Sequence, residues 1–129
     1  MLKDKVAALA GGPNYAVLTT PLGDGTANSH MMWVGADADH LLINTEIHRR
    51  KFRNMPVGAK VTVVVFENPF AWAEVRGTVV EHVGGTEARA HIDALAKKYT
   101  GADYSMQVQS ERVIVKIRPD VQFTFPPAS

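Results

Sequence analysis

Residues 60–66 read KVTVVVF, and a run so dense in β-branched side chains, closed by Asn68-Pro69, has one good local solution, a strand. Five further β-forming runs follow the same punctuation, at 15–20, 26–35, 40–44, 72–83 and 112–118, the last extending through 120–125 to Pro126-Pro127. Clusters such as Pro21-Leu22-Gly23-Asp24-Gly25 and Ala36-Asp37-Ala38-Asp39 separate them. Six antiparallel strands, mostly joined by short turns, predict a mainly β fold with helices. A small closed barrel is expected, because closure removes the edges such strands would expose. Gly77, inside the 72–83 run, predicts a bulge or a close backbone approach.

Two helices frame the strands. Leu2, Val6, Leu9 and Ala10 recur at helical spacing until Gly11-Gly12-Pro13 ends the pattern. Residues 86–99 form the one substantial helix, with Thr86 as cap, Ala88, Ile92, Leu95, Ala96 and Tyr99 as the apolar stripe, and Gly101 at the exit. From Ile47 to Met55 no β-branched residue follows Ile47, and Phe52 with Met55 gives one short apolar face, so a helical turn or two is expected there. At 129 residues, 46% hydrophobic and 21% charged, the whole of 1–129 is read as one domain, large enough to fold without disulfides or a structural metal.

The charge is more informative divided than summed. Fourteen cations against thirteen acids leave a formal +1, too balanced to grip nucleic acid over an extended surface. Yet Arg49, Arg50, Lys51 and Arg53 lie within five residues that hold no acid. Without them, ten cations face thirteen acids: a mildly acidic chain carries one concentrated basic spot.

The opening MLKDKVAALAGGP lacks the apolar core of a signal peptide, and no window approaches the about eighteen apolar residues of a membrane span. A cytoplasmic soluble protein without a membrane partner is expected. Five histidines and no cysteine show neither HExxH nor His-x-x-x-His nor His-x-His, so no metal site is expected. There is no G-x-S-x-G, and Gly11-Gly12 precedes a strand rather than a helix, the wrong order for a dinucleotide loop.

The basic run has two readings, a solvated helix face or an anion site. Cations in the first turn of a helix oppose its dipole at roughly a few tenths of a kcal/mol each, and no acid follows at i+4 to pair with them. If the chain enters the helix extended, Arg49 and Lys51 share a side, a planar fork beside a point charge, which suits a phosphate. Asn44 and Thr45 end the preceding strand with polar groups able to cap the helix or reach a ligand. Met31, Met32 and Trp33 on the second strand fit core filling or a flat apolar shelf for an aromatic ring system, and Trp72 invites the same pair of readings. His30 is read as a hydrogen-bonded structural residue before a proton donor.

The strand, the Asp24-Gly25 turn, the strand ending Met32-Trp33-Val34, and then Asn44-Thr45 followed by Arg49, Lys51, Arg53 and Asn54 resemble the pyridoxamine 5′-phosphate oxidase-like split-barrel superfamily. Within it, the chain is similar to the deazaflavin-dependent reductases that bind coenzyme F420. The segments 75–79, 98–101 and 111–113 support the likeness, which runs from about Tyr15 to Ile117. The resemblance implies a six-stranded split barrel of the FMN-binding type and a homodimer with cofactor sites in the grooves between subunits. It implies that Arg49 and Lys51, with Arg50 and Arg53 beside them, hold the cofactor phosphate. Asn44 and Thr45, with the backbone of Met31, Met32 and Trp33, would lie against the ring. His48 departs from the pattern, since many relatives have glycine there.

The implied activity is transfer of a hydride from reduced F420 to a small unsaturated or aromatic acceptor, with no catalytic side chain identified. An FMN-dependent oxidase or reductase and a non-catalytic F420- or FMN-binding protein are the alternatives. F420 has an acidic tail, for which Arg76, Lys97 and Lys98 are candidate contacts. Nucleic acid is not an expected partner.

Overall fold

The computed structural model describes residues 1–127. Its elements are α1 (Asp4–Gly11), β1 (Tyr15–Pro21), β2 (Ala27–Met32), β3 (Gly35–Ala36), β4 (Leu41–Glu46), α2 (Arg50–Arg53), β5 (Lys60–Asn68), β6 (Ala71–Val83), α3 (Gly85–Thr100) and β7 (Arg112–Phe125). Among the described residues, seven strands form one sheet in the order β2-β1-β5-β6-β7-β4-β3, with every pairing antiparallel. The two edge strands, β2 and β3, are consecutive in sequence and separated only by Trp33 and Val34. The sheet must therefore curl until its edges meet, a barrel split at that point rather than the closed one expected from strand count.

The split also explains why the expected strand over 26–35 becomes two. Val34 N–H donates to the Tyr99 hydroxyl at 3.1 Å, and Val34 C=O accepts from Lys98 Nζ at 2.6 Å. Side chains of α3 thus occupy the backbone groups that a ladder partner would have used. The same two residues reach across the seam: Tyr99 Oη donates to Asn14 C=O at 2.5 Å and Lys98 Nζ to Ala10 C=O at 2.9 Å. The Trp33 indole stacks on the Tyr99 ring at 5.2 Å and 5°.

Strand alternation sets the core. Val61, Val63 and Val65 of β5 point inward with Ala73, Val75 and Val79 of β6, Leu41 and Ile43 of β4, and Val115 and Ile117 of β7. Full burial of each such aliphatic side chain contributes about 1.5–3 kcal/mol. Leu2, Val6 and Ala10 bring α1 into the same core, and Met55 seats α2 beneath it. Gly77 shows both expected features. It lies at a register shift against β7, and a Cβ there would come within 2.5 Å of Arg118 O and Ile117 Cγ2. The α3 stripe is as read, but its cap is Gly84, without a side-chain hydrogen bond, in place of Thr86. Gly101 closes it in the left-handed region at φ 85°, its N–H on Lys97 C=O.

The outer face of the sheet is aromatic. The pairing register aligns Tyr15, Phe66, Trp72 and Phe125 in one row across β1, β5, β6 and β7, with Trp72 stacked on Phe125 at 5.8 Å. A second row runs Met31, Val17, Val64, Glu74, Phe123. No helix among the described residues is long and apolar enough to cross a membrane.

Candidate functional site

A cavity of about 450 Å³ opens between the β1/β2 edge, α3 and the start of α2. One wall is apolar: Met31, Met32 and Trp33 from the split, Ile92 and Leu95 from α3, and Tyr104 and Met106 from the loop before β7. The same cavity is lined by three cations, Arg49, Lys51 and Arg112, the last lying against Tyr104 of the apolar wall. Tyr15, at the end of the outer aromatic row, is also a lining residue.

Local geometry brings Arg49 and Lys51 to the same side. Arg49 is extended (φ −76°, ψ 143°) and the helix begins at Arg50. With only four residues, α2 has too little dipole to hold an anion, so the side-chain cations themselves supply the field. Their convergence is visible in Lys51, whose ammonium is pushed below its ordinary pKa by burial and by the neighbouring charges of Arg49 and Arg112.

Asn44 lines the cavity, but its amide is committed to the protein rather than free for a ring. Arg112 Nε donates to Asn44 Oδ1 at 2.9 Å, which fixes the amide orientation, because guanidinium N–H groups only donate. Asn44 Nδ2 then donates to Ala88 C=O and to His91 Nδ1, each at 2.9 Å. His91 must accept at Nδ1 and carries its proton on Nε2. Burial, with the charges of Lys98 and Arg112, lowers His91 to about 4, so it is neutral near pH 7.

The residues that sequence reasoning missed are Glu46 and Arg112. Glu46 is 2% exposed, and its Oε1 accepts from the backbone N–H of Gln109 at 2.7 Å and of Ser110 at 2.6 Å. Its Oε2 lies 3.5 Å from Arg112 Nη1 and 4.0 Å from Arg49 Nη2. Burial pushes this carboxyl up, yet the two amides and the Arg112 charge outweigh it and hold it below its usual range. Arg112 is 7% exposed and its guanidinium lies over the Tyr104 ring at 5.2 Å. The signal in the sequence is an Arg directly before the apolar run Val113-Ile114-Val115, and the structure pairs it in register with Glu46, the acid that ends β4.

The other expected site residues lie elsewhere. Thr45 faces the barrel interior with Leu41 and Ile43 and does not line the cavity; its buried Oγ1 has no hydrogen-bond partner among the described residues. Arg50 faces the β1–β2 turn, where Asp24 is held below its usual range by hydrogen bonds from Thr26 and by the Arg50 charge. Arg53 is exposed away from the cavity lining. His48 places Nδ1 2.6 Å from Ser110 Oγ, and exposed His30 places Nε2 3.1 Å from Asn28 Oδ1. Of the candidate tail contacts, Lys98 is tied into the seam, Lys97 pairs with Asp103 at 3.1 Å, and Arg76 pairs with Glu74 at 3.4 Å.

Comparisons with known proteins agree with this architecture. No curated protein matches the chain in sequence. In structure, it is similar to a protein described as an F420 reductase, with 27% identity and a TM-score of 0.79 over 94% of this chain and 98% of that one. It shares its fold with General Stress Protein 26 of Bacillus anthracis (17% identity, TM-score 0.73, 97% and 94% covered). The heme storage protein HutZ of Vibrio cholerae has the same fold (12% identity, TM-score 0.69, 98% and 96% covered). The profile of the pyridoxamine 5′-phosphate oxidase family matches residues 2–124, and with its split barrel the chain belongs to that family.

Proposed function

We propose that this chain is an F420H2-dependent oxidoreductase that reduces a small unsaturated or aromatic acceptor. One observation carries the reading: a single cavity is lined by the paired cations Arg49 and Lys51 and by the apolar side chains of Met31, Met32 and Trp33. That donor set fits a cofactor with a phosphate at one end and a planar ring at the other. The similarity to a structure described as an F420 reductase favours the deazaflavin over FMN.

When bound, the reduced deazaflavin supplies the hydride. The chain's own residues supply position. Arg49 and Lys51 anchor the phosphate, the Met31–Trp33 segment sets the plane of the ring, and Tyr104 and Met106 reduce the access of water from the loop side. Two copies pack through the outer aromatic face. Tyr15 and Met31 belong both to that face and to the cavity lining, so a second copy seated there also walls the cofactor groove.

Purified protein tests the reading. Saturable F420 binding with no flavin retained supports it, as does stopped-flow oxidation of F420H2 by members of a quinone, enone and tetrapyrrole panel. A yellow preparation that releases FMN on denaturation would transfer the site to flavin. F420 binding with inertness toward every acceptor would make the chain a carrier.

A further inference from the structure

We propose that Arg112 is the third cation of the phosphate end, and that this end is built for two negative charges rather than one. This rests on the cofactor reading of the cavity. Arg112 lines the cavity although its side chain is almost wholly buried. Its Nε donates to Asn44, its Nη1 faces Glu46, and the Tyr104 side chain lies against the same guanidinium, so an incoming anion would share the outer end of the fork with Tyr104. The Arg112 guanidinium carbon lies 5.2 Å from the centre of the Tyr104 ring, a cation–π contact that helps hold the group in place.

Glu46 explains how two guanidinium groups sit side by side. Its Oε2 is within 4.0 Å of both Arg49 and Arg112, while its Oε1 is pinned by two backbone amides, so the carboxylate is a fixed post between them. Three cations (Arg49, Lys51 and Arg112) against this one carboxylate leave an excess of two positive charges at one end of a partly enclosed cavity. Held together without a counterion, such charges repel, and the other residues lining the cavity include no acid to relieve them. The matching ligand chemistry is a doubly charged phosphate group. A phosphate monoester has both charges on one phosphorus, as in FMN. In F420 one charge lies on the phosphodiester and the next on a carboxylate of the acidic tail beyond it.

Equilibrium fluorescence titrations with FMN, F420 and riboflavin, the last having the ring without the phosphate, test the assignment. Wild type is compared with Arg112→Gln, Arg112→Lys and the double variant Glu46→Gln/Arg112→Gln, which removes both buried charges together and so guards against unfolding. The expected result is a loss of about tenfold or more for the phosphorylated ligand in both Gln variants, partial recovery in Arg112→Lys, and unchanged riboflavin binding. A loss for FMN assigns the charges to a monoester, and a loss for F420 assigns them to a diester with its carboxylate. Equal loss for riboflavin would overturn the proposal by making Arg112 a wall residue. Unchanged binding in folded Gln variants would overturn it while leaving the cofactor reading intact. Failure of wild type to bind any of the three would remove that reading as well.

Discussion

Arg112 Nη1 lies 3.5 Å from Glu46 Oε2, and the two side chains are only 6% and 2% exposed. An ion pair removed so completely from water costs much to break on one side, because the remaining charge has no solvent to return to. Glu46→Ala also leaves the Gln109 and Ser110 amides without their acceptor. The expected loss is about 3–5 kcal/mol of unfolding free energy in urea titration. A loss under about 1 kcal/mol, the scale of an exposed pair, would show that the pair is not closed to water.

His91 gives the fold an acid-side weakness. Its pKa is 6.5 in an unfolded chain and about 4 in the folded one, because burial and two nearby cations oppose its charging. Above pH 6.5 it is neutral in both states and contributes no pH dependence. Between pH 6.5 and about 4 the unfolded chain takes up a proton that the folded chain refuses, so stability falls as pH falls through that window. Glu46 and Asp37, whose folded values are lowered, add their loss only at or below the ordinary carboxylate range, around 4.5 and 3.8. Thermal midpoints of wild type should therefore decline across the upper part of the window, and His91→Gln should flatten the decline. An equal slope in the variant would refute the assignment.

The aromatic row Tyr15–Phe66–Trp72–Phe125 predicts the oligomeric state. Phe123 and Phe125 remain 48% and 43% exposed on one copy, an apolar area that a second copy would cover. Light scattering should give a dimer for wild type and a monomer for Trp72→Glu, with weaker cofactor binding in the monomer because the groove loses its second wall. A wild-type monomer that binds cofactor normally would contradict the shared groove.

The strands and the basic spot were legible because each rests on local pattern. The β5 run KVTVVVF, the α3 stripe and the Gly77 approach depend on residues near one another in sequence, and Arg49 with Lys51 needed only a short extended lead-in. What stayed hidden depends on long-range pairing. The break at Trp33-Val34 comes from Lys98 and Tyr99, more than sixty residues away in the chain. Asn44 lines the cavity as its position suggested, but nothing local reveals that Arg112, Ala88 and His91 occupy its amide. Thr45 faced inward because alternation along β4 put Asn44 on the cavity side. Arg112 opens the last strand in the sequence, and only its register pairing with Glu46 brings it to the site.

The most direct measurement is a fluorescence titration of the purified protein with F420, repeated on Arg49→Ala and Lys51→Ala. Saturable binding at one site per protomer is predicted for wild type, weakened by about 1.5–3 kcal/mol in each variant while melting curves show both still folded. Wild-type protein that binds neither F420 nor FMN, or variants that bind as tightly as wild type, would contradict a phosphate-anchored cofactor in this cavity.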